Sequence, residues 1–174
     1  MNSIETLRAG IRDVADFPKP GIVFKDITPI LADPKLFRLT IDWFANECRD
    51  AGVEKIAGID ARGFLFGATV ADRLGLGFVP IRKKGKLPYK TYSLAYKLEY
   101  GEAEIEVHTD AFQPGEKVAI IDDLLATGGT AGAAAKLLAN CGADVQRALF
   151  LVELAFLNGR EALPGIEIRS ILTY

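Results

Sequence analysis

The stretch 118–130 reads VAIIDDLLATGGT: an apolar run, two adjacent carboxylates and a turn rich in hydroxyls and glycine. An alanine-rich segment of helical composition follows at once. Strand, turn and helix in this order are typical of an α/β protein, in which unpaired backbone N–H groups at the helix start bind phosphate. Asp122 and Asp123 would repel a phosphate, so we expect them to face hydroxyl groups or a cation. The stretch therefore predicts a site for a sugar phosphate, with Mg²⁺ nearby.

Strand-like and helix-like segments alternate on both sides of this stretch. The strand segments are 55–60, 78–82, 118–122, 145–153 and 166–172. The helix segments are 33–51, 63–74 and 130–139. Asp33-Pro34 provides a cap for the first helix, and Gly75 ends the second. Because helices separate the strands, the sequence predicts an α/β fold with a doubly wound, mainly parallel five-stranded sheet flanked by helices.

Two parts of the chain fall outside this alternation. Apolar spacing predicts a helix over 3–14, and a break and an extended, irregular stretch follow it. Residues 83–115 form a long polar insertion, in which 93–100 and 104–109 predict an antiparallel hairpin turned at Gly101. Such an insertion indicates a functional lid, so we expect one domain over 1–174 with an inserted β-hairpin lid.

Composition and charge exclude several classes of protein. Of the 174 residues, 49% are apolar and 25% are charged, which excludes a mostly disordered chain. The net charge of −2 gives no reason to expect nucleic-acid binding through bulk charge. The chain shows no secretory signal pattern and no apolar stretch near 18 residues, so we expect a cytoplasmic protein that does not bind a membrane.

A second turn resembles the first. The strand segment that ends at Asp60 is followed by Ala61, Arg62 and Gly63, where a helix begins. The Arg62 guanidinium suits phosphate oxygens. Because the carboxyl ends of parallel strands share one edge of a sheet, two such turns suggest a ligand with two separated phosphate groups. The basic residues that open the insertion would close over this anion; they are Arg82, Lys83, Lys84 and Lys86.

Other kinds of chemistry lack their motifs. The chain has one histidine, His108, and no nucleophile is placed near it, which argues against a Ser–His or Cys–His hydrolase. The sequence contains no HExxH, Walker A or complete GxGxxG pattern. Composition alone gives no reason to assign catalysis to Glu99 near the predicted hairpin turn.

The run 118–130 resembles the phosphoribosyl-pyrophosphate signature of the type I phosphoribosyltransferase family. Further segments are similar to the adenine phosphoribosyltransferases within that family, in the same order and over nearly the whole chain. They are FPKPGIVFKDI at 17–27, DARGF at 60–64, RKKGKLP at 82–88 and LEYG at 98–101. The resemblance implies purine salvage, in which adenine and phosphoribosyl pyrophosphate give AMP and pyrophosphate with Mg²⁺, and it implies a homodimer.

The resemblance also implies roles for individual residues. The 5′-phosphate would lie on Ala126, Thr127, Gly128, Gly129 and Thr130, and the ribose hydroxyls on Asp122 and Asp123. Pyrophosphate would bind Ala61, Arg62 and Gly63 together with Lys83 and Lys86 of the lid. Mg²⁺ would be held mainly through substrate and water. Arg62 would stabilise the departing charge, and Glu99 would either handle the proton of adenine or form a hydrogen bond to the purine ring, which makes both catalytic. The family also often has a cis peptide bond at the position of Asp60–Ala61.

The adenine site is implied to lie in a small amino-terminal hood over about 1–33. Backbone groups of Val23 and Lys25 would read the base, and Phe24 would stack on it. Lys25 stands where many relatives have arginine, and the lid stretch 88–92 also varies among relatives. Two alternatives stay open at this point: a transferase of the same fold that uses another base, and a non-enzymatic regulator that senses phosphoribosyl pyrophosphate.

Overall fold

The computed structural model describes residues 3–97 and 101–174. The amino-terminal part contains helix α1 (Ser3–Ala9), strands β1 (Arg12–Ala15) and β2 (Val23–Asp26), and helices α2 (Thr28–Ala32) and α3 (Pro34–Asp50). The middle contains β3 (Lys55–Ile59), α4 (Arg62–Leu74), β4 (Gly77–Lys83), β5 (Thr91–Lys97) and β6 (Glu102–His108). The remainder contains β7 (Lys117–Leu125), α5 (Gly129–Asn140), β8 (Asp144–Glu153), 3₁₀ turns at Ala155–Leu157 and Gly159–Ala162, and β9 (Glu167–Thr173).

The main sheet has the order β5-β6-β4-β3-β7-β8-β9. The neighbouring strands β4, β3, β7, β8 and β9 are parallel to one another. They are the five strands that the sequence predicts, so the α/β fold class is confirmed. The predicted hairpin is also present, with β5 antiparallel to β6. The hairpin also joins the main sheet, which the sequence did not predict. Arg82 and Lys83 of β4 pair with β6, and this pairing extends the sheet to seven strands.

Side chains of the central strands alternate between two hydrophobic cores, one on each face of the sheet. Helices α1, α3 and α4 cover one face, where Phe44, Phe66 and Ile121 are fully buried. Helix α5 covers the other face, over Ile120 and Phe150. Burial on both faces explains why these strands read as continuous apolar runs. Among the described residues, no helix is long and apolar enough to cross a membrane.

The helix limits follow the predicted caps, except near the amino terminus. The Asp33 carboxylate accepts hydrogen bonds from the backbone N–H groups of Lys35 (2.7 Å) and Leu36 (3.1 Å), and Gly75 ends α4 with φ of 67°. The predicted helix over 3–14 is wrong beyond Ala9.

Residues Arg12–Ala15 instead form β1, antiparallel to β2. The reason is that the chain turns at residue 10 and pairs Val14 with Phe24 across the ribbon. The stretch 22–29 is therefore more regular than predicted, because it contains a strand and the start of α2.

Candidate active site

Two turns at the carboxyl ends of the adjacent strands β3 and β7 enclose a polar pocket of about 200 Å³. One turn is Asp60-Ala61 with the first residue of α4, and the peptide bond between Asp60 and Ala61 is cis, as the resemblance implied. The other is the loop after Leu125 that leads into α5. The pocket is lined by residues 59–62 and 122–131. The structure thus brings both predicted anion turns and the acid pair into one site.

An ion pair joins the two turns directly. Arg62 Nε, at the start of α4, donates a hydrogen bond to the carboxylate of Asp123 in β7. Asp123 is buried, whereas half of the Arg62 side chain is exposed. Burial would lower the pKa of Arg62, but the hydrogen bond to Asp123 and the charges of both carboxylates raise it above its ordinary value. Arg62 therefore provides a permanent positive charge at the pocket wall.

The second carboxylate of the pair has a different environment. The pKa of Asp122 is raised well above its ordinary value, first because the group is buried and second because the charge of Asp123 lies beside it. Asp122 Oδ1 accepts a hydrogen bond from the backbone N–H of Asp123 at 2.9 Å. The ionised form of Asp122 is therefore costly unless a cation or hydroxyl groups lie beside it.

Glycine at position 63 allows the two turns to approach each other. A Cβ atom on Gly63 would lie 2.7 Å from the carbonyl oxygen of Ile121 and 2.9 Å from Asp122 Oδ1. A side chain at this position would push α4 away from β7. Gly63 is thus needed to keep Arg62 beside the acid pair, in addition to the pyrophosphate contact that the resemblance implies.

The glycine-rich loop rests on a 3₁₀ turn that sequence reasoning missed. Gly128 has φ of +80°, and a Cβ atom there would lie 2.2 Å from the carbonyl oxygen of Gly159. Conversely, a Cβ atom on Gly159 would lie 2.2 Å from the carbonyl oxygen of Ala126. Two glycines in contact therefore fix the conformation of the loop that holds the unpaired N–H groups.

Arg160 anchors this supporting turn. Its guanidinium donates to both carboxylate oxygens of Glu153, at 2.6 and 2.7 Å, and to the carbonyl oxygen of Ile168 at 3.2 Å. Glu153 is buried, and its hydrogen bond from Arg160 lowers its pKa. The sequence contained a signal for this ion pair: Glu153 ends a strand that reads as buried, and a buried carboxylate needs a cationic partner.

The basic residues of the insertion divide into two groups. Arg82 binds Asp60 (2.9 Å) and the carbonyl oxygen of Lys86 (3.1 Å), and Lys84 binds Glu104 (2.8 Å). Both cations are therefore held by contacts within the protein. The side chains of Lys83 and Lys86 are exposed, and among the described residues no carboxylate pairs with their ammonium groups.

Glu106 organises the loop between β4 and β5 and was not predicted. This buried carboxylate accepts hydrogen bonds from the backbone N–H groups of Lys86 (3.0 Å) and Leu87 (2.8 Å) and from the Thr91 hydroxyl (3.3 Å). Burial would raise the pKa of Glu106, but these hydrogen bonds lower it below its ordinary value. Glu106 therefore fixes the backbone beside the free cations Lys83 and Lys86.

The predicted adenine residues lie in β2, outside the lining of this pocket. Lys25 Nζ lies 2.7 Å from Asp13 and 4.0 Å from the ring centroid of Tyr174, so its charge is engaged within the protein. The Phe24 ring packs edge to face on Phe17, with centroids 5.2 Å apart, and Val23 is exposed. Since Tyr174 follows the carboxyl end of β9, the ribbon lies at the same edge of the sheet as the pocket. Glu99 lies outside the described residues.

The chain is similar to known proteins over nearly its whole length. A family model described as a phosphoribosyl transferase domain matches residues 26–161. An adenine phosphoribosyltransferase from Neorhizobium galegae is 52% identical over 172 residues, which cover 98% of this chain and 95% of that protein.

Solved structures show the same similarity. The crystal structure of adenine phosphoribosyltransferase from Thermoanaerobacter pseudethanolicus has a TM-score of 0.94 at 50% identity, with 98% of this chain and 99% of that chain covered. The Saccharomyces cerevisiae enzyme, solved in complex with an imino-altritol bisphosphate and adenine, has a TM-score of 0.94 at 38% identity, with 98% of each chain covered.

Proposed function

The chain belongs to the adenine phosphoribosyltransferase family, and we propose that its pocket between β3 and β7 forms AMP and pyrophosphate from adenine and phosphoribosyl pyrophosphate. One observation supports this proposal most strongly: two turns suited to binding anions lie in one pocket, on either side of the pair Asp122 and Asp123. The substrate has a phosphate at one end, a pyrophosphate at the other and ribose hydroxyls between them. The pocket offers complementary groups in the same order.

The loop Ala126–Thr130 receives the 5′-phosphate in this proposal, because its backbone N–H groups and the start of α5 favour an anion. Asp122 and Asp123 face the ribose hydroxyls. The turn of Ala61, Arg62 and Gly63 receives the pyrophosphate. Exposed Lys83 and Lys86, on the loop fixed by Glu106, add positive charge on that side.

Adenine binds at β2 in this proposal, and the adenine in the related yeast complex supports that choice of base. The Lys25 ammonium is engaged by Asp13 and Tyr174, so the contacts proposed for Val23 and Lys25 are those of their backbone groups. A backbone carbonyl accepts from the exocyclic amine of adenine but cannot pair with the carbonyl oxygen of hypoxanthine or guanine. An unpaired buried acceptor costs roughly 1–3 kcal/mol, which supports discrimination against those bases. Phe24 is the candidate to stack on the ring.

The reaction breaks the bond between the anomeric carbon and a pyrophosphate oxygen, and adenine N9 forms the new bond as its proton leaves. Negative charge grows on the pyrophosphate, and Arg62, Lys83 and Lys86 offset it. Positive charge grows on the ribose, where Asp122 and Asp123 lie. Glu99 is the candidate acceptor for the adenine proton, on the strength of the family-like segment 98–101.

Mg²⁺ completes the proposed site, and the acid pair fits it. No cluster of three or more side chains that could ligate a metal occurs among the described residues. Asp122 and Asp123 supply carboxylate oxygens, which Mg²⁺ prefers, and the ion commonly takes one or two carboxylates together with substrate phosphates and water. When bound, it would neutralise part of the pyrophosphate charge.

A homodimer and a cytoplasmic location also belong to the proposal. Sequence similarity to the family supports the dimer, and light scattering after gel filtration tests it. Cell fractionation tests the location.

A panel of bases tests the proposed reaction. Purified protein is incubated with phosphoribosyl pyrophosphate, Mg²⁺ and one of adenine, hypoxanthine, guanine, xanthine or orotate, and the nucleotide products are separated. We expect AMP from adenine and no product from the others. Turnover of another base would identify a different transferase, and binding of phosphoribosyl pyrophosphate without any turnover would identify a sensor.

A further inference from the structure

A hydrogen bond connects the hairpin to the loop assigned to the 5′-phosphate. Tyr96 Oη in β5 lies 3.0 Å from Thr130 Oγ1 in the first turn of α5. Thr130 lines the pocket, whereas Tyr96 does not. Tyr96 therefore contacts Thr130 from outside the pocket.

The Tyr96 ring is held in place by its surroundings. It is half-buried and packs with Leu94 against the hydrophobic core beneath α5. Strand β5 lies along α5, and Gly132 contributes to the groove between them. A Cβ atom on Gly132 would lie 2.5 Å from the carbonyl oxygen of Ala162, so α5 also packs closely on the 3₁₀ turn that ends at Ala162. The hydroxyl of Tyr96 thus meets Thr130 from a defined direction.

The geometry points to Tyr96 as a positioning residue for 5′-phosphate binding, an inference that rests on the proposed function. A threonine hydroxyl has a single proton and two acceptor lone pairs. If Thr130 donates its proton to a phosphate oxygen, its oxygen is free to accept a hydrogen bond from the Tyr96 hydroxyl. That bond orients the Thr130 proton toward the anion and polarises it, so the phosphate binds more tightly than it would to a freely rotating hydroxyl.

Tyr96→Phe tests this inference, because it removes one hydroxyl and keeps the ring. AMP carries the 5′-phosphate and pyrophosphate does not, so calorimetric titrations with each probe separate the two ends of the site. We expect the AMP dissociation constant to rise about 3- to 10-fold and that for pyrophosphate to stay within about twofold, the range for one lost hydrogen bond. Tyr92→Phe is the matched control, an exposed tyrosine on the same face of β5, and should change neither.

Kinetics and a double-mutant cycle separate positioning from a general structural role. We expect KM for phosphoribosyl pyrophosphate to rise with the AMP constant while kcat is retained. In a Thr130→Val background, Tyr96→Phe should have no further effect on AMP binding, because its partner is gone. An unchanged AMP constant in Tyr96→Phe, equal weakening of AMP and pyrophosphate, or full additivity with Thr130→Val would overturn the inference. Wild-type protein that binds no AMP would instead refute the proposed function.

Discussion

Arg62 and Asp123 lie 61 positions apart in the chain and form an ion pair across the pocket. Arg62 begins α4, and Asp123 belongs to the acid pair of β7. The pair couples the turn assigned to pyrophosphate with the carboxylates assigned to ribose. A guanidinium has several donors in a planar fork, so Arg62 can keep its bond to Asp123 and still offer N–H groups to a ligand.

Arg62→Lys should lower activity although it keeps the charge. A single ammonium cannot span Asp123 and a pyrophosphate oxygen as the guanidinium does. We expect kcat/KM for phosphoribosyl pyrophosphate to fall roughly 100-fold, the scale for losing one preorganised donor. Steady-state kinetics measure the change, with Arg38→Lys on the exposed side of α3 as the control. Equal activity in both variants would remove the fork from the mechanism.

Gly159→Ala should weaken binding although Gly159 lies outside the pocket lining. Its Cβ atom would lie 2.2 Å from the carbonyl oxygen of Ala126, so the loop must shift. We expect the AMP dissociation constant to rise at least about tenfold and the free energy of unfolding to fall by roughly 1–3 kcal/mol, the usual cost of overpacking. Gly77→Ala meets only the flexible Lys55 side chain at 3.4 Å and is the control. Wild-type affinity in Gly159→Ala would show that the turn does not support the loop.

The local pattern predicted the phosphate loop, but not its support. Strand, carboxylates, glycines and helix are consecutive in 118–130, so residue order alone indicates the turn. The contact between Gly128 and Gly159 joins two distant segments, and the sequence around Gly128 contains no pattern that predicts it. The same reason explains the hairpin: its strands were predictable from alternation, whereas the pairing of β4 with β6 is a tertiary event.

Contacts with distant residues also determine the structural environment of single side chains. Arg82 forms an ion pair with Asp60, 22 positions away, which the local pattern beside Lys83 did not indicate. Val14 fits a helical period with Leu7 and Ile11, but pairing with Phe24 places it in a strand. In both cases the structure depends on a contact between distant segments, which the local sequence pattern does not contain.

Glu99 is the residue that we propose accepts the proton of adenine. We expect Glu99→Gln and Glu99→Ala to lower kcat by roughly 10²- to 10⁴-fold, the range for general acid–base catalysis. The affinity for phosphoribosyl pyrophosphate should change little. Glu102→Gln, at an exposed position of β6, is the control for charge on the hairpin. Near-normal turnover in both Glu99 variants would remove Glu99 from the chemistry.

The amino-terminal ribbon should lose support in acid. Hydrogen bonds from the Thr28 hydroxyl, the Thr28 backbone and Arg12 lower the pKa of Asp26 from 3.8 to about 2. A depressed pKa means that ionised Asp26 stabilises the fold fully above its unfolded value, and that this contribution disappears as the pH falls through about 2. The unfolding free energies of wild type and Asp26→Asn should therefore converge between about pH 4 and pH 2.

Urea titrations at each pH measure this difference, with Asp50→Asn at the exposed end of α3 as the correction for a lost charge. A constant gap between wild type and Asp26→Asn across that range would contradict the assignment.

The rate of AMP formation by the Asp122→Asn, Asp123→Asn double variant tests the central claim most directly. Both carboxylates are converted to amides of similar shape, and circular dichroism verifies the fold. With saturating adenine, phosphoribosyl pyrophosphate and Mg²⁺, we predict that wild-type protein forms AMP and that the double variant is slower by roughly 1,000-fold or more, as expected when charge stabilisation in the transition state is lost. Undiminished AMP formation by the double variant would contradict the claim that phosphoribosyl transfer takes place at this acid pair.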